Sequence, residues 1–111
     1  MRKIILSTLI LSFSLAGPAF AGAGEGLVQV KQCMSCHDVS ADKVGPSFQN
    51  IARRFSGLKN AKTMLAHVVI SGSEKGAVYH WGPEKMPADT VRVPVSMAEA
   101  EEMVDYILSL K

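Results

Sequence analysis

The chain has 111 residues, of which 48% are hydrophobic and 20% are charged, which is enough for one domain. Lys plus Arg number 12 against 10 Asp plus Glu, and so small an excess excludes a strongly electrostatic nucleic-acid-binding protein. Its two cysteines are too few for a small fold held together by several disulfides.

The N-terminal segment has the parts of an export signal. A basic start is followed by a mostly apolar run of 13 residues, Ile4 to Ala16, which is too short for a membrane span of about 20 residues. A small-x-small pattern then predicts cleavage after Ala21. We expect residues 1–21 to be a cleaved signal peptide and residues 22–111 to be a periplasmic domain without a membrane span. An uncleaved anchor is the less favoured alternative. Cleavage would leave equal numbers of basic and acidic residues.

Two short helices are predicted in the first half of the mature chain. After a glycine-rich start, residues 27–30 give an apolar helical segment that runs into Cys33. Residues 38–46 are rich in turn formers. Residues 47–55 form the second helix, because their apolar side chains recur at intervals of three and four. Those side chains are Phe48, Ile51, Ala52 and Phe55.

A third helix and a long loop follow. Asn60 is a plausible N-cap for a helix over residues 61–70. Residues 71–86 contain several glycines and a proline without a sustained period, which indicates a loop. The helix residues expected to point inward are Met64, Leu65 and Val68.

The last helix has the clearest beginning. Ser96 and Glu99 have the spacing of a capping box for a helix over residues 97–110. Its apolar stripe is Ala100, Val104, Ile107 and Leu108, with Met103 and Leu110 beside it. The expected fold class is therefore all-α, with about four short helices.

Cys33, Cys36 and His37 form the pattern C-x-x-C-H, which is the attachment motif for c-type haem. Two thiols on one helical turn can each form a thioether with a vinyl group of one porphyrin, and the next residue places its imidazole under the iron. The pattern predicts one covalently bound haem with iron. The export signal supports this prediction, because c-type haem is attached outside the bacterial cytoplasm.

Three other interpretations of the cysteines are less favoured. A thioredoxin-like redox pair needs a βαβ context, and no strand pattern precedes Cys33. A structural zinc site needs four ligands, so His67 or His80 would have to complete it. A disulfide between the two cysteines would close a very short loop and stabilise the fold little.

An iron atom held by His37 has a second axial position, and Met86 is the favoured ligand. Met86 lies in residues 81–87, where two prolines stiffen the backbone and can hold a thioether that binds iron only weakly. Methionines on helix stripes are usually core residues. The other candidates are Met34, Met64, Met97, Met103, His67 and His80.

These segments resemble class I cytochromes c, in particular the short bacterial c-551/c-552 group. Besides the C-x-x-C-H motif, Val44-Gly45-Pro46 matches the family segment whose proline carbonyl accepts the histidine ring N–H. Trp81-Gly82-Pro83 followed by Met86-Pro87 resembles the axial-methionine loop. Residues 104–110 resemble the last helix, which crosses the first.

The resemblance implies the class I cytochrome c fold, with helices and loops wrapped around the haem. It implies that Pro46 orients His37 and that Trp81 bonds a haem propionate. It also implies that Leu27 and Val28 meet Tyr106 and Ile107 where the first and last helices cross. An arginine that often supports a propionate from the third helix is absent, and residues 88–95 run longer than in the group.

Filled axial positions leave no open iron site for a substrate or oxygen. We therefore expect an electron-transfer protein rather than an enzyme: a monomeric, soluble periplasmic carrier in a respiratory chain. Its expected partners are a redox protein donor and a redox protein acceptor, both bound transiently, with no nucleic acid and no membrane. The alternatives are a haem subunit of a dehydrogenase complex, or an open-site haem sensor or peroxidase.

Overall fold

The structure, a computed structural model, describes residues 21–73 and 82–110. This part of the chain contains four α-helices, two short 3-10 helices and no strand, which confirms the predicted all-α class. Predictions on residues 1–20, His80 and Trp81 lie outside the described residues. The α-helices are α1 (Ala21–Val30), α2 (Phe48–Phe55), α3 (Ala61–Ser71) and α4 (Met97–Ser109), and the 3-10 helices are Cys33–Ser35 and Asp89–Val91.

Helix α1 crosses α4 at a glycine. A Cβ atom on Gly24 would lie 2.3 Å from the carbonyl oxygen of Glu102 and 2.6 Å from the Cβ of Tyr106, so only glycine allows this approach. The glycine-rich start is therefore part of α1. The sequence had predicted that the helical segment begins only after these glycines, at residue 27. The four residues expected at the crossing, Leu27, Val28, Tyr106 and Ile107, all belong to the same core.

Helix α4 is the centre of the core and packs against the other three helices. It begins with the predicted capping box: Ser96 Oγ accepts from the Glu99 N–H at 3.2 Å, and the Glu99 carboxylate accepts from the Ser96 N–H at 2.9 Å. Val95, just before the cap, is also buried, so the longer 88–95 segment contributes to the core. The buried face of α4 consists of Ala100, Met103, Val104 and Ile107.

Helices α2 and α3 begin differently. Ser47, which is fully buried, caps α2 by accepting a hydrogen bond from the Asn50 N–H at 3.1 Å. Asn60 precedes α3, but its side chain makes no capping hydrogen bond, so its predicted capping role is wrong. Its backbone, with φ −100° and ψ 10°, lacks the extended conformation that capping geometry needs. Helix α3 ends at Ser71 and is followed by Gly72, whose φ is +76°.

Candidate haem-binding site

The C-x-x-C-H segment forms a tight turn directly after α1. Gln32 has a left-handed backbone conformation, with φ 60°, and this turns the chain from α1 into the 3-10 helix Cys33–Ser35. The backbone N–H groups of Cys36 and His37 both donate to the Cys33 carbonyl, at 3.2 and 3.0 Å. Both cysteines are free and half-buried, so the two thiols needed for thioether formation lie on one helical turn.

The imidazole of His37 is held by three neighbours. Its Nδ1 lies 2.7 Å from the carbonyl oxygen of Pro46. Its ring stacks on the buried ring of Phe48, with centroids 5.5 Å apart. A Cβ atom on Gly45 would lie 2.6 Å from Cε1 of the ring. The glycine backbone therefore packs against the imidazole, and any larger residue at this position would displace the ring. These contacts fix both the position and the orientation of His37.

The contact with Pro46 also fixes which nitrogen of His37 is available. A carbonyl oxygen can only accept, so Nδ1 carries the proton and Nε2 keeps its lone pair. Burial lowers the pKa of His37, which favours the neutral imidazole at physiological pH. A neutral imidazole with a free Nε2 is the form that ligates a metal, and a carbonyl bonded at its other nitrogen orients it and increases its basicity.

An open, mostly apolar cavity adjoins His37. Apolar walls with a few polar groups are typical of cofactor sites. Helix α2 contributes Ile51 and Phe55 to its wall, and residues 84–87 contribute Met86. Helix α3 contributes the three residues predicted to point inward, Met64, Leu65 and Val68, which are half-buried.

The backbone of Met86 is anchored to Ser73, just beyond α3. The Met86 N–H donates to Ser73 Oγ at 2.8 Å, and the Ser73 N–H donates to the Met86 carbonyl at 2.9 Å. A Cβ atom on Gly72 would lie 2.5 Å from the Met86 carbonyl oxygen, so this approach also needs glycine. Ser73 could not be predicted from the sequence, because no local pattern marks a hydrogen bond across thirteen positions.

The other candidate axial ligands within the described residues lie elsewhere. Met103 is buried in α4, and its sulfur lies 3.9 Å from Cys33 Sγ. Met34 packs against the core, and Met97 and His67 are exposed. Only Met64 and Met86, among the described candidates, line the cavity with His37.

The residues present fit a covalently bound haem. Cys36 and His37 line the cavity, and the turn places the second thiol, Cys33, three residues before Cys36. Burial raises the pKa of the Cys33 thiol, whose sulfur faces Met103. The close backbone contact at Gly45 belongs to the cavity wall. Trp81, the candidate propionate residue, lies outside the described residues.

The comparison with known proteins decides the family. A family model described as Cytochrome c matches residues 21–111. The chain belongs to the cytochrome c family. It is similar to cytochrome c-552 of Hydrogenobacter thermophilus, with 37% identity over the full length of both chains. It is also similar to cytochrome c-551 of Pseudomonas aeruginosa, with 35% identity over 96% of this chain and 95% of the relative.

Solved structures agree with this assignment. The crystal structure of wild-type Nitrosomonas europaea cytochrome c552 matches with a TM-score of 0.69 and 34% identity, covering 78% of this chain and 99% of that chain. The predicted class I cytochrome c fold and the resemblance to the c-551/c-552 group are thus confirmed. This cytochrome c is a monohaem electron-transfer protein, and its single C-x-x-C-H motif carries one covalent haem c.

Proposed function

We propose that this cytochrome c is a soluble periplasmic one-electron carrier of a respiratory chain, with His37 and Met86 as the axial ligands of its iron. The observation that carries the proposal is that His37, with Nε2 free, and Met86, with its backbone fixed by Ser73, line the same cavity. Cys33 and Cys36 would form the two thioethers.

The bound haem supplies a one-electron couple. The residues of this chain determine the reduction potential of that couple. A thioether ligand favours ferrous iron and raises the reduction potential relative to a second histidine. The apolar wall from α2 and α3 acts in the same direction, because the ferric state carries the additional positive charge. With a side chain at each axial position, no site is left for a substrate.

Three features of the chain support the proposed location and partners: its N-terminal segment, its helices and its balance of charges. Residues 1–21 have the order of a secretory signal, which supports export and cleavage after Ala21. No helix among residues 21–73 and 82–110 is long and apolar enough to cross a membrane. Residues 22–111 have equal numbers of acidic and basic side chains, which suits a monomer that exchanges electrons through brief contacts with a donor and an acceptor protein.

Carbon monoxide tests the closed iron site. The reduced protein, purified from the periplasm of a host that attaches haem c, should show the same absorption spectrum with and without carbon monoxide. Met86→Ala should bind the gas, because its axial position is vacated while the thioethers and His37 retain the haem. Binding of carbon monoxide by the unmutated protein would overturn the carrier proposal in favour of an open-site sensor or peroxidase.

Cell fractionation tests the location. The mature protein should be found in the periplasm with a mass equal to residues 22–111 plus one haem. A cytoplasmic location or an intact residue 1–21 segment would overturn the export proposal.

A further inference from the structure

We propose that Arg92 is a positioning residue for the axial methionine, joining the Met86 loop to the end of α3. This inference rests on the proposed His37/Met86 ligation. Arg92 belongs to the 88–95 segment, whose role could not be predicted from the sequence.

The guanidinium of Arg92 joins two separate segments. Its Nε donates to the carbonyl of Pro87, the residue after Met86, at 3.0 Å. Its Nη2 donates to the carbonyl of Val69 in the last part of α3. Arg92 itself is half-buried. Its bond to Val69 is partly shielded from water, whereas its bond to Pro87 is exposed.

The bond to Val69 is favourable at this end of the helix. The last four carbonyls of an α-helix have no partner within the helix, and the negative end of the helix dipole attracts a cation. The Gly72 N–H donates to the Val68 carbonyl at 2.8 Å, and Arg92 donates to the next carbonyl, that of Val69. Arg92 therefore stabilises the end of α3 while it holds the methionine loop against it.

Two neighbouring contacts then fix the methionine backbone. Ser73 bonds to Met86 itself, and Arg92 bonds to the following residue, Pro87. The planar fork of arginine presents donors in fixed directions and can reach two carbonyls at once, which a lysine ammonium on a flexible stem does less well. The clamp thus depends on the guanidinium shape as well as on its charge.

Two substitutions test the clamp. Arg92→Lys keeps the charge and removes the planar fork, whereas Arg92→Gln removes the charge and leaves a single amide. Arg53→Gln is the matched control, because Arg53 is an exposed arginine on α2 and the substitution removes the same charge. The holoproteins are compared by the ferric band at about 695 nm that accompanies methionine ligation.

Loss of the clamp should loosen the methionine before the fold is lost. In a denaturant series, both Arg92 variants should lose the band at a lower concentration than the helical circular dichroism signal, whereas Arg53→Gln should follow the parent. If both Arg92 variants lose the band and the circular dichroism signal with the same separation as the parent, the clamp is overturned. A parent without the band would instead overturn the assignment of Met86 and, with it, the positioning role of Arg92.

Discussion

Ser73 and Met86 exchange two hydrogen bonds: the Met86 N–H donates to the Ser73 hydroxyl at 2.8 Å, and the Ser73 N–H donates to the Met86 carbonyl at 2.9 Å. Both backbone polar groups of the candidate ligand are thereby bonded to a residue that lies just beyond the end of α3. A thioether binds iron weakly, so a fixed backbone reduces the entropy that would be lost when its sulfur is held in place.

Ser73→Ala should weaken the methionine position without removing the ligand. The Met86 N–H loses its acceptor, at a cost of about 1 kcal/mol, while the other hydrogen bond remains. The ferric methionine band should disappear at a lower temperature than in the parent. Ser71→Ala is the control, since Ser71 is exposed at the last position of α3, and a similar effect of both substitutions would contradict the anchoring role of Ser73.

Gly45→Ala should displace the imidazole of His37, the proposed ligand. The new Cβ would lie 2.6 Å from Cε1 and 3.0 Å from Nδ1 of His37, and the ring cannot retreat freely because it stacks on Phe48. We expect the free energy of unfolding to fall by about 1–3 kcal/mol, as in other overpacked sites, and the electron paramagnetic resonance spectrum of the ferric haem to shift. A spectrum identical to that of the parent would show that Gly45 does not determine the ring position.

Alanine substitutions at two glycines of α1 should change the stability of the protein in opposite directions. Gly24→Ala places a Cβ 2.3 Å from the Glu102 carbonyl oxygen and should destabilise the protein by about 1–3 kcal/mol. Gly26 has open space around it, so Gly26→Ala should stabilise α1 by roughly 0.5–1 kcal/mol through helix propensity. Denaturant unfolding measures both, and a stabilising Gly24→Ala would contradict the close crossing of α1 and α4.

The helices that could be predicted from sequence are those whose own residues carry the signal. The spacing of the apolar side chains in residues 47–55 predicted the buried face of α2, and the spacing of Ser96 and Glu99 predicted where α4 begins. The start of α1 could not be predicted in this way. Its glycines are poor helix formers, and they are tolerated because Gly24 lets two helix backbones approach.

The same distinction holds at the site. The spacing of Cys33, Cys36 and His37 identified the attachment turn, because all its chemistry lies within five residues. Ser73 and Arg92 act through backbone carbonyls and N–H groups of distant segments. Such contacts depend on the fold rather than on side-chain identity at the partner position, so no local pattern indicates them.

Asp42 should make the stability of the site region depend on pH. Its carboxylate accepts hydrogen bonds from the Ser47 N–H at 2.8 Å and from the Asn50 side chain at 2.7 Å, and the first of these chiefly lowers the pKa of Asp42. A lowered folded pKa means that the stabilisation is present above the ordinary carboxyl pKa and is lost as the pH falls through the folded value.

Asp42→Asn should therefore lower the free energy of unfolding near neutral pH, and the difference from the parent should shrink in acid. Denaturant unfolding at about pH 7 and about pH 3 measures this difference, on either side of an ordinary carboxyl pKa. A difference that grows in acid would contradict the assigned hydrogen bonds. Asp105→Asn is a comparison variant, because Asp105 is exposed on α4 and pairs with Lys62, away from the attachment turn.

The ferric absorption band at about 695 nm, which arises from methionine sulfur bound to iron, tests the central claim most directly. Met64 and Met86 both line the cavity with His37, so the band should be measured in the parent, Met86→Ala and Met64→Leu. We predict that it is present in the parent and in Met64→Leu and absent from Met86→Ala, whose haem remains attached through the cysteines. A band that survives in Met86→Ala, or that disappears in Met64→Leu, would contradict the assignment of Met86 as the axial ligand.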